Sequence, residues 1–151
     1  MNFIILNVKI IDSKLTYDIR KKVLWPHIKN DNYSLKVDKD VSTFHLGTYI
    51  NKKIISIGTF VKENNSKFNS NSQYRLRAMA TDKKYQIHGA GRKLLLTGIA
   101  ILKEKKINIL WCDARIKAID FYKKLNMIST PGLYNIKNIG LHQTMYINLK
   151  K

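Results

Sequence analysis

Apolar residues alternate with polar ones in some stretches of the chain and recur at helical spacing in others, which divides it into predicted strands and helices. Asn2 to Ile11 predicts a first strand, and Ser13 is a suitable N-cap for a helix with Leu15, Ile19, Val23 and Leu24 on its apolar face. Pro26 stops that helix. His27 to Asp40 is polar with few apolar anchors, so it predicts a loop or a short second helix. Val41 to Ile50 and Ile54 to Val61 are rich in β-branched and aromatic residues and predict an antiparallel hairpin turning at Asn51-Lys52. Lys62 to Gln73, full of Asn and Ser, is the segment expected to be most mobile.

Tyr74 to Thr81 predicts a strand with Leu76, Ala78 and Ala80 on one face and Arg75, Arg77 and Met79 on the other. From about Ala90 to Lys106 the positions Gly91, Leu94, Leu95, Gly98, Ile99 and Leu102 share a helical side, and Ile107 to Cys112 has the short apolar run of a buried parallel strand. Strand, crossover helix and strand make a βαβ unit. Asp113 is then a cap for a helix over Ala114 to Leu125, and Asn126 suits the left-handed position after it. Met127 to Thr130 and His142 to Leu149 predict the last strands, with Pro131, Gly132 and Gly140 punctuating the connection. No repeat or linker is visible, so a single domain over 1–151 is expected.

The stretch Tyr74 to Lys93 sets the chemistry. A helix start exposes unpaired amides and a partial positive charge, for which Ser, Thr, Asp or first-turn acids are the usual answer. This chain has Gly89-Ala90-Gly91 followed by Arg92 and Lys93. That arrangement becomes favourable when an anion such as a pyrophosphate takes the place of the missing cap.

The 28 Lys and Arg residues against 10 acids give a formal charge of +18. Two readings stay open: a field for a polyanion, or the over-use of Lys, Asn and Ile with little Arg that an AT-rich coding sequence would give. Cys112 is the lone cysteine, so no intrachain disulfide forms and no thiolate metal cluster is expected; a buried structural thiol and a reactive nucleophile are the alternatives for it. The N-terminal run alternates into Lys9 and Asp12 and does not have the sustained apolar core of a signal peptide. A cytoplasmic protein without a membrane span is expected.

Gln86-Ile87-His88-Gly89-Ala90-Gly91, placed between a strand and a helix, resembles the pyrophosphate motif of the GNAT acyltransferase superfamily. Ala118, Phe121, Tyr122, Lys124 and Leu125 look like its second signature. Two departures stand out: Arg115 where Asn is frequent, and Asn126-Met127 where Gly-Phe often closes the helix. The resemblance implies an α/β (α+β) fold with a mixed, mostly antiparallel central sheet around a βαβ acyl-CoA core. It implies acetyl-CoA as donor and a primary amine, most simply a small molecule, as acceptor. The pyrophosphate would lie on Gln86, Ile87, His88, Gly89, Ala90, Gly91 and Arg92, and the pantetheine arm along Met79, Ala80 and Thr81. Arg115 and Tyr122 would complete the cofactor contacts.

Direct transfer needs the amine deprotonated, at a cost of roughly 4–5 kcal/mol for a group with pKa about 10.4, and a proton or hydrogen bond for the departing thiolate. Tyr122 matches the superfamily's general-acid tyrosine; the alternative is a tyrosine that merely packs. His142 and His45 are candidates for base or substrate contact, with structural roles as their alternatives. Arg75 and Arg77 share a face and could hold an acceptor carboxylate or be solvated. Glu63 and Glu104 are poorly placed for a base. Two rival functions remain: a basic nucleic-acid-binding module, which lacks a recognition motif and exposed aromatics, and a CoA-binding member that catalyses nothing. The acceptor's identity and the choice between monomer and homodimer are open.

Overall fold

The computed structural model describes residues 4–150. Its strands are β1 (Leu6–Ile11), β2 (Phe44–Ile50), β3 (Lys53–Lys62), β4 (Gln73–Thr81), β5 (Ile109–Arg115), β6 (Ile128–Ser129), β7 (Tyr134–Ile136) and β8 (Gly140–Asn148). The α-helices are α1 (Tyr17–Ile19), α2 (Ala90–Glu104) and α3 (Ile119–Lys124). The hydrogen-bonded strand order is β1-β2-β3-β4-β5-β8-β6, with β7 against β8. Among the registers described, only β4 with β5 is parallel, so the expected mixed, mostly antiparallel sheet is present. Packing resolves into two compact units: one holds the chain up to Val61 with Arg77–Gly98, the other Lys62–Leu76 with the chain from Ile99 onward.

In the first unit β1 pairs with β2 and β2 with β3, and the hairpin turns at Asn51, whose φ of 54° is the left-handed conformation that Asn tolerates. Ile11, Ile19, Ile57 and Ala80 pack together as a core, with Val23, Leu24, Tyr49 and Ile54 against them. A Cβ on Gly98 would lie 2.2 Å from the Phe60 ring, so α2 sits over β3 at a distance that only glycine allows. The expected strand from Asn2 begins at Leu6; Asn2 and Phe3 fall outside the described residues.

The expected helix after Ser13 is present, with a changing winding. A 3₁₀ turn spans Ser13–Thr16, α1 follows, and Arg20–Leu24 widens to i→i+5 bonding, closed by Trp25 N–H donating to the Arg20 carbonyl at 2.8 Å. Asp12, not Ser13, flanks the start, and Leu15 is exposed. The altered winding turns Arg20 inward. Its side chain is fully buried, bonds Asp38 through both terminal nitrogens (2.8 and 3.0 Å), and also donates to the Tyr33 carbonyl and Thr59 Oγ1. Asp38 lies in a 3₁₀ turn, Lys36–Lys39, inside the stretch expected to be a loop or short helix.

In the second unit, β4 residues Gln73–Arg75 pair with Ile109–Trp111, and β5 pairs along its length with β8. The loop before β4, expected to be mobile, is pinned from inside. The buried Gln73 side chain accepts from Asn65 N–H (2.8 Å) and donates to the Ser70 carbonyl (2.8 Å) and the Asn65 carbonyl (3.2 Å).

Three expectations are corrected here. Asp113 does not cap a helix: β5 runs on to Arg115, because Asp113, Ala114 and Arg115 pair with Thr144, Gln143 and His142. The helical segment therefore starts as a 3₁₀ turn at Ile116–Ala118 and continues as α3, leaving Ala114 in a strand. The last strand opens at Gly140, and β7 occupies a stretch expected to be only a connection. Asn126 does adopt the left-handed conformation after α3, with φ 68°.

Candidate functional site

The polar turn before the Gly-rich loop is a 3₁₀ helix, Lys83–His88, capped by the Asp82 side chain accepting from Lys84 N–H at 3.1 Å. Gly89 ends it in the left-handed region at φ 75°, where a residue with a Cβ is strained although the space around it is open. Lys93 N–H donates to the Gly89 carbonyl at 3.0 Å, so α2 starts immediately after it. Ala90 is buried and its carbonyl accepts from Thr48 Oγ1 at 3.0 Å, which fixes the helix start on β2. The first turn holds no acid. Among the described residues, no side chain caps the N–H groups of Ala90, Gly91 and Arg92. The absence of a first-turn acid, the open space at Gly89 and the Arg92 charge fit a pyrophosphate.

Upstream, β4 breaks its pleat at Ala78, whose φ of 49° is left-handed in the middle of a strand. Strict alternation of faces therefore ends there, a departure from the expected side-chain pattern. Met79 and Thr81 are half-buried and Ala80 is buried. Ser56 Oγ bonds the Ala80 carbonyl (3.2 Å) and Thr81 Oγ1 (2.8 Å), and the Gln86 side chain donates to the Thr81 carbonyl (3.4 Å). His88 lies beside the Tyr85 ring at 6.1 Å, and Arg77 is half-buried on β4.

In the second unit, Tyr122 of α3 is buried, with the Cys112 thiol of β5 as its electrostatic neighbour. Burial, reinforced by Cys112, holds its hydroxyl well above the usual phenol range, so it stays protonated. Burial likewise pushes the Cys112 thiol up to about 12, which supports the structural-thiol reading over a nucleophile. Arg115 is exposed at the end of β5, and its charge eases the Tyr122 hydroxyl downward.

His142 is buried on β8, opposite Arg115 and Tyr134. Its Nδ1 lies 2.7 Å from the Gly140 carbonyl, which can only accept. Nδ1 therefore carries the proton, and in the neutral ring Nε2 carries the lone pair. His45 is buried elsewhere, in the first unit, with Nε2 2.9 Å from Asp38 Oδ1. It belongs to the Arg20 network. Burial raises the Asp38 carboxyl, but hydrogen bonds from Arg20, the Leu35 N–H and His45 outweigh it and hold the pKa at about 2.

Sequence reasoning missed a polar row on one face of the second unit. Arg75 binds Asp113 (2.7 Å) and Glu63 (3.1 Å) over the Trp111 ring, so it is committed within the row and not held out for an acceptor. Tyr134 donates a short bond to Asp113. Neither Tyr134 nor Lys67, which joins the row, lies in a periodic segment; only the pairing of β7 and β5 with β8 collects these groups. Among the described residues, no cluster of three or more His, Cys, Asp or Glu could hold a metal, and no helix is long and apolar enough to cross a membrane.

The model of the Acetyltransferase (GNAT) family matches residues 13–127. The chain belongs to this family. An uncharacterized N-acetyltransferase of Bacillus subtilis, YitI, is 34% identical over 96% of this chain and 97% of its own length. The fold is shared with an acetyltransferase of the GNAT family from Staphylococcus aureus Mu50 of known crystal structure: TM-score 0.73, 18% identity, covering 97% of this chain and 100% of that one. An aminoglycoside 6'-N-acetyltransferase crystallised with coenzyme A also superposes, with TM-score 0.78, 9% identity and coverage of 96% and 98%. The general activity of the family is transfer of an acetyl group to an amine, from a coenzyme A donor. That membership speaks against the nucleic-acid-module alternative.

Proposed function

We propose that this protein transfers an acetyl group from acetyl-CoA directly to a primary amine. The observation that carries the reading is the start of α2, which has no acid in its first turn and follows a left-handed Gly89 with open space around it. The main-chain donors of residues 87–92, with Arg92, hold the pyrophosphate, flanked by Gln86 and His88. The Met79–Thr81 backbone, carried past the break at Ala78, runs along the pantetheine arm. Bound acetyl-CoA supplies an activated thioester carbonyl. Tyr122, kept protonated by burial, gives a hydrogen bond to the departing sulfur. His142 Nε2 takes the amine proton. Arg115, exposed at the end of β5, would add a further contact to the cofactor. His45, locked on Asp38, orders the first unit instead of touching the acceptor.

Coenzyme A at 100 times its Kd should stabilise the fold by about 2.7 kcal/mol, and a melting curve unmoved by millimolar coenzyme A would sink the reading. Gly91→Val should abolish that shift by blocking the amides. Tyr122→Phe should lower kcat by about 100-fold or more while leaving coenzyme A affinity intact.

A further inference from the structure

Lys67 reaches from the loop before β4 and sets Nζ 5.2 Å above the centre of the Tyr134 ring and 3.0 Å from Thr144 Oγ1. Thr144 Oγ1 lies 3.2 Å from the Tyr134 hydroxyl, which makes its short bond to Asp113 Oδ1; Asp113 Oδ2 is held by Arg75. An ammonium can only donate and a carboxylate can only accept. The two hydroxyls between them therefore point their protons toward the carboxylate: Lys67 donates to Thr144, Thr144 to Tyr134 or, at 3.5 Å, directly to Asp113 Oδ1, and Tyr134 to Asp113. This chain relays the carboxylate's attraction to a cation at the Lys67 position, and its members strengthen one another. The ring face adds cation–π attraction.

The rest of the loop looks made to present that side chain. Gln73 ties down its backbone, and Lys67 N–H donates to Asn65 Oδ1 at 3.0 Å. The Lys67 side chain itself is exposed, so another amine can displace it. Beside its stem lies a cavity of about 280 Å³ walled by Phe68, Ile109, Pro131 and Tyr146, with Ser129 Oγ buried there and unpartnered. On β5, Asp113 and Cys112 are neighbours facing opposite sides of the strand, so the row and the Tyr122 hydroxyl approach the same point of β5 from its two faces.

We propose that Tyr134, Thr144 and Asp113 form a cage for a primary ammonium, the acceptor subsite of the transferase reading above, which the chain's own Lys67 fills as a displaceable stand-in. The proposal rests on that reading for its role in catalysis and on geometry alone for its ligand. The ligand class is an unbranched alkylammonium, as on a lysine side chain or a polyamine, whose apolar part lies in the adjoining cavity. His142, its ring 6.1 Å from that of Tyr134, stands at the cage.

Calorimetric titration of n-butylammonium, with no donor present, tests the cage directly. Lys67→Met keeps the stem and removes the competitor, so it should bind the probe about tenfold more tightly than the unaltered chain. Adding Tyr134→Leu, or the isosteric Thr144→Val, should erase the gain. Equal binding by the unaltered chain and Lys67→Met, or a gain that survives both second changes, overturns the cage. In turnover, Lys67→Met should lower the KM for alkylamines. Tighter binding through Tyr134 without turnover of any amine would uphold the cage and sink the transferase reading. Turnover with a KM indifferent to Lys67 and Tyr134 would do the reverse.

Discussion

Arg20 and Arg75 are both bound to carboxylates, both lie over a tryptophan ring, and both leave Nε buried without a partner, yet they end in different places. Arg20 is 0% exposed and its Asp38 partner 3%; its hydrogen bonds to the Tyr33 carbonyl and Thr59 go inward, and Asp38 continues to the buried His45. Arg75 is 21% exposed, divides itself between Glu63 and Asp113, and its network continues through Tyr134 and Thr144 to an exposed lysine. The first network is closed and can only hold elements together. The second has an outlet, and a charged row with an outlet is available for recognition. Burial of an ion pair is thus no guide to function by itself; where its last donor ends is a better one.

The largest test of that contrast is Asp38→Asn. It leaves the Arg20 guanidinium buried and uncompensated, which should cost about 3–5 kcal/mol in denaturant unfolding. A loss below about 1 kcal/mol would mean that water reaches the network and that it is not closed.

Acid reads the same network in the unaltered chain. Asp38 has a folded pKa of about 2, below the ordinary value of 3.8, so its contribution is complete above about pH 4 and is lost as pH falls through 2. Unfolding free energy should therefore drop with acid across that window, and Asp38→Asn should flatten the slope. A slope unchanged by the substitution would place the acid sensitivity elsewhere.

Much of this architecture was legible in the sequence, and the losses have physical causes. The hairpin, α2 and the Gly-rich loop carry strong local signals: β-branched runs, helical spacing, and a glycine where the turn is left-handed. Arg20 was unreadable because a charge on a helix is assumed to face water, and its partner comes 18 positions later in a polar stretch. Asp113 misled for a related reason. An acid ahead of a helical pattern reads as a cap, and only pairing with Thr144 on β8 makes it a strand residue. Tyr134 sits in a three-residue strand too short for any periodicity to show. Local propensity therefore marks the loop proposed for the donor, while the candidate acceptor row, assembled by long-range register, was invisible.

In the open network the effects should be smaller on stability and larger on the acceptor. Asp113→Asn keeps the shape and some hydrogen bonding, so unfolding should lose about 1–2 kcal/mol, well short of Asp38→Asn. The KM for an alkylamine should rise roughly tenfold, because a neutral amide no longer draws a cation through the two hydroxyls. Equal stability losses for the two substitutions would erase the distinction between closed and open.

The smallest effect belongs to Glu63, the other partner of Arg75. Its side chain is 36% exposed, and water already screens its pair with Arg75 at 3.1 Å. Its backbone carbonyl, which accepts from Trp111 Nε1 at 2.9 Å, survives any side-chain change. Glu63→Gln should therefore shift unfolding by no more than about 0.5 kcal/mol and leave the amine KM alone, since Asp113 remains on Arg75 and on Tyr134. A large rise in KM would show that Glu63, by sharing Arg75, sets how much of the Asp113 charge is left for the row, and the outlet would then begin one residue earlier than the geometry places it.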